Sequence, residues 1–289
     1  LYPLVLLGTG IGWGMTQPLG KIAASTGHKP FGLIFWQTAV CVLVLGVLTL
    51  ARGRRLQFER RALSFYVIVA VLGTLIPNFT FYFSIARLPS GIMSIIISTI
   101  PMMAFPLALF LRTERFSWRR IAGLGLGLGG VLMIALPETS LPDRAMVAFL
   151  PVALIGPICY ALENTYVARS GLAGMDPIQA MFGTSVVALI FCAPVMLVLG
   201  HWFPMPLTPG RPEWALIGSS ALHALLYAAF VWLASKTGAV FASQSASVTT
   251  IAGVIWAMVL LGERFSIWVW LAAGLMLMGL ALVRPRQGG

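Results

Sequence analysis

The chain has 289 residues, of which 59% are hydrophobic and only 9% charged, with a mean hydropathy of +0.93. Soluble domains carry about 25% charged residues because their surfaces must be wetted, so a water-soluble enzyme or a nucleic-acid-binding domain is disfavoured. The net charge of +11 sits in short basic clusters between apolar runs, the distribution expected of loops in a polytopic membrane protein.

A helix needs about 20 mostly apolar residues to cross the hydrocarbon core. Ten runs qualify: 3–24, 31–50, 62–86, 90–111, 119–136, 147–168, 177–199, 214–235, 239–261 and 267–283. The first opens at Leu4 with no basic region or cleavage site before it, and reads as a retained span rather than a signal peptide. Turn and loop residues separate the runs, as in Arg52-Gly53-Arg54-Arg55, Leu88-Pro89-Ser90-Gly91 and Leu141-Pro142-Asp143-Arg144. If the chain starts in the cytoplasm, 13 of the 19 Lys and Arg fall on the inner side. Both termini are then expected inside.

Polar and aromatic residues recur at helical spacing in six spans. Span 1 carries Trp13 and Gln17; span 3 carries Thr74, Asn78 and Tyr82; span 4 carries Ser94 and Ser98. Span 6 carries Tyr160 and Asn164, span 8 His223 and Tyr227, and span 9 Gln244, Ser247 and Thr250. Residues four apart share one helix face, so each set forms a stripe that lipid would penalise. Interhelical hydrogen bonding, worth about 0.6 kcal/mol per contact in membranes, suffices for the Ser and Thr residues. For Gln17, Asn78, Asn164, His223 and Gln244 a water-filled cavity is the better reading. The main candidates are read as lying about 10–12 residues from their span ends, roughly 15–18 Å deep at 1.5 Å of rise per residue.

Glu163 is the one acid that falls within a span, and a charge at membrane depth is a functional hypothesis by default. It is a candidate for a coupling proton or a substrate ammonium; the competing reading has it reaching water near the span end and pairing with Arg169. Pro77 in span 3 and Pro101 and Pro106 in span 4 remove backbone donors and are candidate hinges. Span 9 has Thr250 where span 4 has Pro101.

Spans 5 and 10 are rich in glycine and nearly free of hydrogen-bonding side chains. Gly123 with Gly127, and Gly125 with Gly129, form pairs of the kind that let helices approach closely, which makes these packing helices. Gly125-x-Gly127-x-x-Gly130, followed by Asp143, has the form of a dinucleotide fingerprint but lacks the preceding strand and lies within a span, so it is rejected. Cys41, Cys159 and Cys192 stand singly in apolar runs and suggest neither disulfides nor a metal cluster. No cofactor is expected.

The two halves of the chain resemble each other. Glu114-Arg115-Phe116-Ser117 recurs as Glu263-Arg264-Phe265-Ser266 at an offset of 149, which also places Arg87 on Lys236, Gly125 on Gly274 and Gly130 on Gly279. Ile11-Gly12-Trp13-Gly14 answers Ile158-Cys159-Tyr160-Ala161 at 147. Five spans per half is an odd number, so the second half must be inverted, an architecture common among secondary transporters. The expected fold is an all-α integral membrane protein of ten helices in a 5+5 inverted repeat, its halves being 1–140 and 141–289.

These features together, a Trp-Gly pair in span 1 answered by Tyr-Ala in span 6 and Glu-Arg-Phe-Ser after spans 4 and 9, resemble the EamA branch of the drug/metabolite transporter superfamily. Within it the chain is most similar to the YddG-type exporters of aromatic and other apolar amino acids. The resemblance implies export across a bacterial inner membrane through a cavity lined by spans 1, 3, 4, 6, 8 and 9. It implies no nucleic-acid partner. The absence of Arg or Lys at mid-membrane argues against phosphorylated solutes, which leaves zwitterionic or uncharged, partly apolar small molecules. A multidrug or organic-cation exporter is the alternative, since aromatics can bind cations. A membrane-embedded enzyme would need converging catalytic groups, and a passive channel a continuous polar pore. The stripes support neither.

Overall fold

The computed structural model describes residues 1–110, 116–137, 140–237 and 245–283. Ten helical spans are present among the described residues: span 1, Tyr2–Ala24; span 2, Pro30–Ala51; span 3, Arg60–Val69 continued through Ala70–Leu75 to Ile76–Ile85; span 4, Ser90–Ile97 and Ile100–Phe110; span 5, Trp118–Ala135. Span 6 is Leu150–Ser170, span 7 Pro177–Val198, span 8 Arg211–Thr237, span 9 Ser245–Leu261 and span 10 Ile267–Val283. Six of them are long and apolar enough to cross a membrane, and spans 9 and 10 are equally apolar but shorter, at 17 residues each.

Local chemistry sets several ends. Proline opens spans 2, 6 and 7, where its missing N–H would be unpaired in any case. Asp176 caps span 7: its carboxylate accepts from the N–H groups of Ile178 and Gln179 at 3.0 and 3.2 Å, while Gln179 Oε1 accepts from Asp176 N–H. Gly53 ends span 2 at φ +68°, a left-handed conformation that costs glycine little.

Two spans are interrupted, both at proline. In span 3 the segment Ala70–Leu75 is a π-helix, closed by Ile76 N–H donating to Val71 O. Pro77 follows immediately, and its missing N–H withholds the bond that the Gly73 carbonyl would receive in an α-helix. In span 4 the break falls at Ser98 and Thr99, whose N–H groups reach back only three residues, to Ile95 and Ile96, directly before Pro101. Pro106 lies inside a continuous helix. Span 9, with no proline, is unbroken.

The packing is almost entirely between halves, and its registers establish the inversion. Spans 5 and 10 are antiparallel: Gly123 lies against Gly279 and Val283, Gly130 against Ala272 and Met276. Spans 2 and 7 are antiparallel, with Cys192 bonded to Phe31 O and Gly46 against Phe182. So are spans 4 and 9, with Ser90 on Glu263 and Ser94 against Gly253. Equivalent spans of the two halves thus run in opposite directions. The offset of 149 maps Gly123 to Ala272 and Gly130 to Gly279, so the contact of Gly123 with Gly279 has its mate in that of Ala272 with Gly130. A pseudo-two-fold axis relates them.

The glycine faces differ in part from the sequence expectation. Gly123, Gly127 and Gly130 are buried against span 10 or Met102, whereas a β-carbon on Gly125 or Gly129 would meet nothing within 4 Å. The second pair faces outward because glycines four apart share a stripe, and only one stripe can face a given partner.

The Glu-Arg-Phe-Ser segment after span 9 is a structural joint. Glu263 accepts from Ser90 N–H at 2.8 Å, Ser90 Oγ–H at 3.0 Å and Gly91 N–H at 3.1 Å, capping span 4. Phe265 packs on Gly91, and Ser266 Oγ–H donates to Ser140 O. A carboxylate at a helix N-terminus is held by free N–H groups and the helix dipole together.

Candidate functional site

Exposed apolar stripes mark the outward faces of the helices: Leu4, Leu7 and Ile11 on span 1; Ile155, Ile158 and Leu162 on span 6; Trp214, Leu225 and Trp232 on span 8. At roughly 100° per residue, Trp13 and Gln17, Tyr160 and Asn164, and His223 and Tyr227 stand on the opposite, inward sides. These three pairs therefore face the interior, as their spacing suggested.

Spans 1 and 8 run antiparallel and touch throughout, from the Tyr2 and Trp232 rings, 5.8 Å apart, to Gly12 on Leu226. Next to Gly12, the Trp13 ring lies 6.3 Å from His223 and 5.3 Å from Phe230. One turn along from His223, Tyr227 comes within electrostatic reach of Glu163, as does Tyr160. Glu163 in turn rests on span 3: a β-carbon on Gly73 would stand 2.5 Å from its Cδ and 2.6 Å from both oxygens. Glu163 forms no ion pair with Arg169, which is exposed. The structure thus brings together residues of spans 1, 3, 6 and 8 from both halves.

Glu163, Tyr160, His223 and Tyr227 are deep among the helices yet keep accessible side-chain surface. Two polar atoms of span 1 are buried without a hydrogen-bond partner, Trp13 Nε1 and Gln17 Oε1. Unsatisfied buried polar atoms are rare in folded proteins and call for an explanation.

Other candidates are placed differently. Tyr82 lies three residues before the end of span 3 rather than near its middle, fully buried, and its hydroxyl donates to Gln37 Oε1 at 2.8 Å. The depth expected for it, and for Asn78, is corrected: the 26 residues of span 3 put Gly73 near the middle, and Asn78 and Tyr82 both lie nearer the Ile85 end. Asn78 is half-buried just after Pro77. Ser98 turns to Ile95 O at 2.6 Å and Met276 Sδ of span 10 at 3.7 Å. Thr250 returns its hydroxyl to Ala246 O. Gln244 lies outside the described residues. Gln37, a lone amide between Trp36 and Thr38 in an otherwise apolar span, was legible as a polar insertion but was not singled out.

The two ends of the bundle differ. At the end carrying residues 25–29, 199–210 and 262–266, the His28 and Phe203 rings stack at 3.8 Å and Trp36 Nε1–H donates to Phe203 O at 3.0 Å. His28 Nε2 stands 4.0 Å from Glu213 Oε1, and Lys21 Nζ–H donates to Leu88 O at 3.0 Å. The space enclosed by Ala23, His28, Leu33, Phe203, Glu213 and Leu216 has no room for a water molecule. This end is shut. Toward the other end, where Arg52 pairs with Asp176 at 2.8 Å, Asn164 is exposed although it stands on the inward side of span 6.

A family model for EamA-like transporters matches residues 1–136 and again residues 148–284, one match per half. The chain is similar to the uncharacterized protein PA1977 of Pseudomonas aeruginosa, 28% identical over 212 residues that span 72% of this chain and 70% of the relative. A solved crystal structure shares the fold with a TM-score of 0.62 and 17% identity, across 96% of this chain and 94% of that one.

Proposed function

The chain belongs to the EamA-like transporter family, and from that premise we propose that it exports aromatic and other large apolar amino acids, with related small metabolites, by alternating access. In this reading it is a YddG-type protein of a bacterial inner membrane, with both termini cytoplasmic and the shut end facing outward. Membership makes it a secondary transporter and not an enzyme.

One observation carries the substrate class. The inward cluster of Trp13, Tyr160, His223 and Tyr227 is aromatic, comes from both halves, and includes no Lys or Arg. Such a surface offers ring contacts worth about 0.5–1.5 kcal/mol each beyond their area, and no partner for a phosphate. Sites of this kind lie at repeat interfaces near the membrane centre. A second reading, export of organic cations, is favoured by the carboxylate of Glu163 among these rings.

Counterflow in proteoliposomes tests both. The purified protein, loaded with labelled phenylalanine, should exchange it saturably against external aromatic and large aliphatic amino acids. Exchange against quaternary ammonium compounds alone would select the second reading.

A further inference from the structure

We propose that Glu163 is the subsite for the substrate's ammonium group, with Gly73 serving as the seat that holds its carboxylate in place. This inference rests on the reading above, since it takes the solute to be an amine-bearing molecule.

The argument begins with the cost of the charge. A carboxylate removed from water is expensive unless paired and hydrogen-bonded. Among the described residues Glu163 has no resident counter-ion: it makes no ion pair with Arg169, and the groups within its electrostatic reach are the phenols of Tyr160 and Tyr227. Its side chain nevertheless keeps accessible surface. A structural acid would be expected to carry a partner; an accessible one without a partner is suited to receive one.

Shape supports the same conclusion. The carboxylate fills the volume that any side chain at position 73 would need, with its Cδ 2.5 Å from that β-carbon position. Gly73 lies in the π-helical stretch Ala70–Leu75, ahead of Pro77. A π-turn inside an α-helix is rare and often marks a functional site. Here it brings bare backbone up to the one acid at membrane depth. Tyr160, one turn before Glu163 on span 6, and Tyr227 of span 8 lie within its electrostatic reach, and phenol oxygens and aromatic rings are groups that suit a cation. The unpartnered Trp13 Nε1–H stands beside His223, one helical turn from Tyr227. It is a donor suited to the other end of a zwitterion.

The test compares three solutes in proteoliposomes: phenylalanine, phenethylamine and 3-phenylpropionate, the last lacking the amine. Glu163→Gln keeps the shape and removes the charge. It should weaken competition by the two amines by about 10- to 150-fold, the range for losing a hydrogen bond to a charged group, and leave 3-phenylpropionate unaffected. Gly73→Ala keeps the charge but displaces the carboxylate, and should produce a smaller loss with the same selectivity. Unchanged competition by the amines in Glu163→Gln, or equal losses for all three solutes, would overturn the inference. Wild-type protein that binds phenethylamine but not phenylalanine, with Glu163→Gln losing it, would overturn the amino-acid reading and keep the ammonium site. Binding of neither amine by wild-type protein would overturn both.

Discussion

Gly123 and Gly279 meet backbone to backbone where spans 5 and 10 cross. A β-carbon on Gly123 would stand 2.7 Å from the Gly279 carbonyl oxygen, and one on Gly279 would stand 2.6 Å from that of Gly123. Without a hydrophobic effect between helices in lipid, such close approach is what holds them together. No side chain can move to relieve a clash here, because both obstacles are main chain.

A graded outcome is therefore expected along span 5. Gly123→Ala should cost about 1–3 kcal/mol, the usual penalty of overpacking, and lower the detergent melting temperature. Gly127→Ala meets only the flexible Met102 side chain and should cost less, although Gly127→Leu should still lower folded yield. Gly125→Ala faces open space and should be neutral. Substrate preference should stay constant in all of them. A well-folded Gly127→Leu protein with altered selectivity would show that span 5 does more than pack.

Topology can be checked with little background, because Cys41, Cys159 and Cys192 are all buried. In intact cells a membrane-impermeant maleimide should label Leu207→Cys, which is fully exposed at the shut end. Phe58→Cys, exposed at the opposite end, should react only after permeabilisation. The reverse pattern would turn the molecule over in the membrane.

Tyr82 and Gln37 provide a test that separates architecture from recognition. Tyr82→Phe removes the donor to the half-buried Gln37 amide oxygen and should destabilise by about 0.5–1.5 kcal/mol, with KM unchanged. Trp13→Phe should do the opposite. It keeps the ring contacts with His223 and Phe230, removes an indole N–H that has no partner, and should leave stability unchanged while KM rises. Thermal unfolding and exchange kinetics on both variants read this out.

Pro101 sits just past the break in span 4, at the position where span 9 has Thr250 and is unbroken. Pro101→Ala restores a backbone donor toward Ile97 and should favour one continuous helix. Maximal exchange rate should fall while half-saturating substrate concentration holds. A fall in affinity with the rate preserved would count against Pro101 as a hinge.

Much of this fold was legible because a bilayer imposes strong constraints. Span length, inward polar stripes at four-residue spacing and the repeat offset all follow from the need to satisfy backbone groups and hide polar side chains from lipid. What stayed hidden depended on which residues meet across spans. Nothing local marks Ala70–Leu75 as a π-turn, and Gly73 has no distinguishing neighbour until Glu163 is placed upon it. Glu263 signalled a repeat, but its task of capping span 4 needs a partner 173 residues away. The choice between the Gly123 and Gly125 stripes likewise turned on the rotation of span 5, which periodicity alone leaves free.

The cross-half pairing has a consequence for biogenesis. Spans 2, 4 and 5 each find their partner in spans 7, 9 and 10, so the first half leaves the ribosome with its mating surfaces bare. Gly123 and Gly130, and the N–H groups that Glu263 will cap, must wait in the bilayer until the last two spans have been made. A nascent chain stalled after span 5 would accordingly be a substrate for membrane quality control rather than a stable intermediate. By the same logic the two halves, supplied as separate polypeptides, carry between them every surface needed to find each other.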